Sequence, residues 1–208
     1  MERADALARL QDLIGVDVHS LAGRYGIAVR GPSGRVNKGW AGHVFERYLG
    51  LPLNAAQAPN FGSWELKVIP LRYLRNGDLV FKETMAITMI DGPQVGATPF
   101  RDSHLLTKLR RAVVVARVVG DDVDAPSIVH SVSTLDLSGQ EYATVEEDYE
   151  LVRSCINDPT RGFDALTGTM GTYVQPRTKG AGHGSSSRAF YARKEFLAQF
   201  VPLESDPD

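Results

Sequence analysis

The sequence predicts a mixed α/β domain with a small central sheet. Two kinds of apolar segment carry this expectation. In one, Leu, Ile, Val and Ala recur at helical spacing; the other is short, β-branched, and either alternating or continuous. Both kinds occur along the whole chain, separated by Gly, Pro, Asn and Asp punctuation. With 208 residues and 43% hydrophobic content the chain can bury a substantial core, and its length favours a single domain spanning 1–208.

Taken in order, residues 2–14 and 18–26 have the spacing of amphipathic helices, and RGPSGRVN breaks the pattern before a third helix, KGWAGHVFERYLG. That helix has a stop signal in Gly50, with Pro52 beyond it. WELKVIPL and DLVFKETMAITMI read as two strands joined around Asn76-Gly77, a pair suited to a turn with positive φ. DGPQVGATPF reads as a loop, SHLLTKLRR as a short helix, and AVVVARVVG and SIVHSVSTLDL as strands. ATVEEDYELVRSCIND is a helix with acids early in its first turns, which suits the helix dipole. After the glycine-rich TKGAGHGSSS, AFYARKEFLAQFV reads as a short strand running into a helix.

The chain contains no unbroken apolar run of eighteen residues, and MERADALARLQDLIG is an amphipathic charged helix rather than a signal peptide. A soluble, cytoplasmic protein with no membrane partner is expected. A single cysteine, Cys155, excludes an intramolecular disulfide and reads as a packed thiol on a helix. The net charge is −2, but the charges are segregated. No Lys or Arg occurs between Arg117 and Arg153, where nine acids lie, whereas Tyr173 to Lys194 carries five basic residues and no acid. Such segregation lets one surface attract phosphate although the whole chain is slightly acidic.

The stretch APNFGSWELKVIPL carries the chemistry. On a strand, Glu65 and Lys67 share one face while Trp64, Leu66 and Val68 pack on the other. A carboxylate can help to hold Mg²⁺, which takes one or two carboxylates plus backbone, water and phosphate oxygens. A lysine beside it can orient water or stabilise an anionic transition state. Phosphodiester hydrolysis requires both functions. A second carboxylate belongs a few residues upstream, where this chain has Asn60.

In the same order along the chain, KGWAGHVFERYLG, NFGSWELKVIP, KETMAIT, SHLLTKL, RTKGAG and AFYARKEF resemble the motifs of the MutH family of DNA endonucleases, from Lys38 to Phe200. That family includes a mismatch-repair strand nicker and the catalytic domain of a GATC-cutting type II restriction enzyme. The resemblance implies a restriction-endonuclease-like core, a mixed sheet flanked by helices. It also implies two lobes around a cleft for double-stranded DNA, with Mg²⁺ as cofactor. The catalytic motifs fall in a first lobe of about 1–110 and DNA recognition in a second of about 111–208. Motif by motif, the resemblance makes Glu46, Asn60, Glu65, Lys67 and Lys108 the catalytic residues and assigns the metal to Asn60, Glu65 and Leu66. It gives Lys38 a DNA contact, makes Arg177 and Lys179 readers of the recognition site, and puts Tyr191 beside an adenine. Arg193 and Lys194 are expected on phosphates, which position a duplex without reading it.

Two departures stand out. The gap from Asn60 to Glu65 is shorter than in the repair nuclease, and GAGHGSSSR after Lys179 differs in detail. The spacing of His43, His104 and His183 suggests no zinc site. The expected function is therefore a Mg²⁺-dependent restriction endonuclease for GATC or a relative, requiring dimerisation on DNA or two binding events for a double-strand break. The alternatives are a methyl-directed repair nicker that works with partner proteins, and a DNA-binding module inactivated by Asn60.

Overall fold

The computed structural model describes residues 1–50, 62–179 and 186–204. Asn60 and His183 lie outside the described residues. The elements run α1 (Arg3–Gln11), α2 (Val18–Tyr25), α3 (Trp40–Tyr48), β1 (Glu65–Tyr73), β2 (Leu79–Phe81), β3 (Met85–Ile90), α4 (Gly92–Ala97), α5 (His104–Leu109), β4 (Arg111–Val119), β5 (Ser127–Asp136), α6 (Gly139–Asn157), β6 (Val174–Thr178), β7 (Arg188–Ala192) and α7 (Lys194–Leu197). They fall into two units. One comprises Met1–Glu83, Ala112–Thr134 and Phe200–Asp208, the other Thr84–Arg111 and Leu135–Gln199. The chain thus re-enters the first unit after residue 111, and strands beyond the expected lobe boundary near residue 110 complete that unit's sheet.

The first unit has a four-stranded mixed sheet in the order β2-β1-β4-β5. β1 pairs in parallel with β4, from Glu65↔Ala112 to Leu71↔Val118, and antiparallel with the short β2, from Leu71↔Phe81 to Tyr73↔Leu79. Trp64, Leu66, Val113 and Val115 share one apolar cluster with Leu10 of α1, Leu21 of α2, and Val44 and Phe45 of α3. Each large side chain removed from water there stabilises the fold by about 1.5–3 kcal/mol before entropy is subtracted. β4, buried from Ala112 to Ala116, has the continuous apolar run typical of a strand in the middle of a sheet. The β1–β2 turn has its positive φ at Gly77 (92°), while Asn76 donates to Asp78 Oδ2 at 2.7 Å.

The second unit has a three-stranded antiparallel sheet in the order β3-β7-β6. The segment DLVFKETMAITMI, expected as one strand, is two. The chain bends at Lys82 and Glu83, so β2 and β3 enter different sheets. The expected loop at 91–100 contains α4, for which Asp91 is the N-cap, accepting from Gln94 N at 2.9 Å, with a proline in the first turn. β6 is absent from the sequence reading because Pro176 interrupts it. It is an edge strand, where a missing N–H is tolerated.

α6 is tied down by one acid. Asp148 is buried, and its carboxylate accepts from the backbone N–H groups of Thr172, Tyr173 and Val174 at 2.6, 2.7 and 2.7 Å. Gly171 is required beside it: at φ +77°, a Cβ would run into the Val174 carbonyl and crowd the Asp148 carboxylate. Other acids of the 121–150 stretch are also engaged. Asp124 pairs with Arg30 at 2.7 Å, and Glu150 pairs with Arg153 at 3.0 Å.

Candidate active site

Strand alternation along β1 places Glu65 and Lys67 on the same face, with Trp64 and Leu66 in the core behind them. Lys67 Nζ lies 3.0 Å from Glu65 Oε1, and the side chains are 13% and 4% exposed. Water screens such a pair poorly, so the two charges interact strongly.

The helical part of the site comes from α3, which buries Trp40, Ala41, Val44 and Phe45. That face leaves Glu46 half-buried and directs it elsewhere. Asn37 organises the entry to the helix, its Oδ1 accepting from Gly39 N at 3.2 Å. Lys38 and Glu46 line a cavity of about 190 Å³ with Leu66, Lys67, Val68, Pro70, Glu83 and Arg117. Pro70 O accepts from Lys82 N at 2.9 Å, so it points away from β4. Backbone direction alternates along a strand, so the Leu66 carbonyl has the same sense, toward the sheet edge that β2 covers only from Leu71 onward.

Mg²⁺, implied by the family resemblance, suits these donors. Glu46, Glu65 and the Leu66 carbonyl offer only hard oxygens. Among the described residues no three His, Cys, Asp or Glu side chains group closely enough to hold a metal by themselves. One or two carboxylates completed by water and a substrate phosphate are the usual Mg²⁺ environment.

Lys108 belongs to the second unit. It is buried on α5, a helix capped by Ser103, whose Oγ accepts from Leu106 N at 3.1 Å. The same unit contains the expected recognition residues. Arg177, exposed on β6, stacks over the half-buried Tyr191 ring at 5.7 Å and donates to Thr84 Oγ1 at 3.0 Å. Gln175, not Arg177, is the direct cross-strand partner of Tyr191, so the stacked pair is diagonal. Lys179 is exposed beyond β6, its N–H donating to Ser187 O at 2.9 Å. Arg193 has a task that the sequence did not reveal. Its Nε donates to Gly171 O at 3.2 Å and its Nη2 to Gly168 O and Met170 O at 2.9 and 3.2 Å, holding the loop before β6. Lys194 starts α7 and is half-buried.

Glu83 and Arg117 were missed as site residues. Arg117 Nη1 donates to Ser127 Oγ at 2.7 Å, and its guanidinium stacks over Trp40 at 5.2 Å. Burial pushes the Arg117 pKa down, while Glu83 acts in the opposite direction. The nearest sequence signal is an arginine that interrupts the apolar run after Arg111 in β4.

This mixed α/β fold, with a Glu-x-Lys strand beside an acid-lined cavity, is consistent with the restriction-endonuclease-like class of nucleases. The family model described as "DNA mismatch repair enzyme MutH" matches residues 49–148. The type II restriction enzyme Sau3AI of Staphylococcus aureus is 25% identical over 183 residues, covering 85% of this chain and 35% of that protein. The chain therefore spans about a third of the length of this curated relative. Together these matches support a MutH-like nuclease family for the chain. No helix among the described residues is long and apolar enough to cross a membrane.

Proposed function

We propose that the chain is a Mg²⁺-dependent, sequence-specific DNA endonuclease that cuts GATC or a close relative. The observation that carries this reading is the desolvated Lys67–Glu65 pair at 3.0 Å on β1. Phosphodiester hydrolysis needs a positioned water, and donors aimed at the charge that develops on the phosphate. When bound, Mg²⁺ neutralises that charge and acidifies a water. In this reading Glu65 and the Leu66 carbonyl hold the cation, Asn60 contributes a neutral amide oxygen, and Glu46 adds negative charge. Lys67, paired with Glu65, orients the attacking water and donates to the anionic transition state. Lys108 is a further active-site lysine.

Lys38 contacts the DNA backbone. Arg177 and Lys179 donate to base edges, Tyr191 lies against the adenine, and Lys194 meets a phosphate. Because three carbonyls occupy Arg193, its contribution is to hold the loop that precedes the reading strand. The type II restriction enzyme among the relatives favours cleavage of unmodified duplex on both strands, by a dimer on DNA or two successive bindings. Asn60 favours a second reading, a DNA-binding module that no longer cuts. Digestion of methylated, hemimethylated and unmodified plasmids by an Asn60→Asp variant, with mapping of the ends, separates the readings. Double-strand ends at GATC in unmodified DNA support the restriction enzyme, and nicks confined to hemimethylated DNA support a repair nicker. Binding without cleavage supports the module.

A further inference from the structure

The cavity shared by Lys38, Glu46 and Lys67 has an acidic wall that lies outside the Glu-x-Lys motif. Glu83 lines it with Pro70 and Arg117, and the same three residues line an adjoining cavity of about 200 Å³ against His19, Trp40 and Ser127. Glu83 reaches this position through the backbone. Lys82 N donates to Pro70 O at 2.9 Å, one step beyond the last paired residues Leu71↔Phe81, and Pro70 has no N–H to return. The chain then bends, and Lys82 Nζ donates to Gly120 O at 3.0 Å, fixing the bend. The Glu83 carboxylate is left exposed at the rim of the cavity.

Arg117 is held much more tightly. It faces Pro70 in the β1–β4 register and lies over Trp40 at 5.2 Å, and Trp40 stacks on His19 at 4.6 Å. Its Nη1 donates to Ser127 Oγ at 2.7 Å, while Ser127 N donates to Asp17 Oδ1 at 3.0 Å. Arg117 Nε is buried without a hydrogen-bond partner. A planar cation fixed by an indole and a hydroxyl keeps one position on the cavity wall, within electrostatic reach of Glu83.

We propose that Glu83 is a further acidic residue of the active site, reaching the bound cation or its water from the rim of the cavity, and that Arg117 is the positioning residue that holds its carboxylate there. This rests on the endonuclease reading above. From the rim it would offset only part of the charge that Asn60 lacks, since an amide oxygen brings no negative charge to a hard cation.

The test is Tb³⁺ binding in the absence of DNA, read by luminescence sensitised through Trp40 and Trp64, for the chain and for Glu65→Gln, Glu83→Gln, Glu83→Asp, Arg117→Lys and Asp78→Asn. Glu65→Gln is expected to weaken Tb³⁺ sharply. Glu83→Gln is expected to weaken it about tenfold, the lower end of what a supporting group costs a metal site. Glu83→Asp should recover part of that loss, and Asp78→Asn, an equally exposed acid outside the cavity, should change nothing. Arg117→Lys keeps the charge and loses the planar stack, so positioning predicts weaker Tb³⁺, whereas a purely electrostatic role predicts no change. Glu83 is exposed, so its variants should fold, and circular dichroism checks this. If Glu65→Gln loses Tb³⁺ while Glu83→Gln binds as the parent does, the proposal is overturned and the endonuclease reading stands. If neither substitution changes binding, both fail.

Discussion

Lys67 Nζ lies 3.0 Å from Glu65 Oε1, and both side chains are withdrawn from water on the same face of β1. Two charges this close, in a place that water screens poorly, should be coupled, so urea unfolding of Glu65→Leu, Lys67→Met and the double variant should give an interaction energy of about 0.5–3 kcal/mol. Strictly additive single losses would show that the two residues are independent.

Arg177→Ala and Lys179→Ala should narrow the affinity gap between GATC and random duplex by about 1–3 kcal/mol each, as expected for a lost base-edge contact. Arg193→Ala should instead lower the thermal midpoint, because three carbonyls of the 168–171 loop lose their donor. Equal effects on specificity from all three substitutions would contradict this division.

Asp148→Ala should destabilise the protein by roughly 2–4 kcal/mol, because three backbone N–H groups lose an ionised acceptor. Denaturant titration measures this. A loss below the error of the fit would mean that water replaces the carboxylate easily.

Asp17 caps α2, its Oδ1 accepting from His19 N at 3.1 Å and Ser127 N at 3.0 Å. Burial opposes ionisation, but the two backbone N–H groups and the His19 ring outweigh it and hold this carboxyl below its usual range. A lowered folded pKa gives stability that is present above the unfolded value of about 3.9 and is lost as pH falls through the folded one. Asn caps nearly as well as Asp, so Asp17→Asn isolates the charge. The stability difference between the parent and this variant should be constant near neutral pH and shrink in acid. A difference independent of pH would refute the assignment.

The two residues most legible in the sequence were Glu65 and Lys67, because alternation alone puts them on one face of a strand. Gly77 was legible for a similar reason, as few residues accept its φ. Local pattern misleads where a single residue works against its neighbours. Pro176 hid β6 because the edge position that tolerates it is a property of the sheet. The bend at Lys82 and Glu83 lies within a strand-like run, and bonds to Pro70 and Gly120 set it from far along the chain. In the sequence Asp148 is one acid among several on an acidic helix, and Arg193 is expected on a phosphate. Their roles depend on backbone groups at 168–174, which no local pattern identifies. Arg117 and Glu83 line one cavity because β1–β4 pairing sets Arg117 opposite Pro70 and Lys82 N bonds to Pro70 O, and a sequence scan shows neither.

Asn60 makes cleavage by this chain directly testable. An amide can still coordinate a cation, yet it brings no negative charge to an ion that dehydrates reluctantly, so in the proposed site Asn60 would slow cleavage. Single-turnover cleavage of a GATC duplex, with Mg²⁺ and with EDTA, should be measured for this chain, for Asn60→Asp and for Asn60→Asp/Glu65→Ala. Slow cutting by the chain, fast Mg²⁺-dependent cutting by Asn60→Asp and none by the double variant are expected, with DNA binding retained in all three. An Asn60→Asp variant that binds the duplex and never cuts it would rule out the endonuclease function.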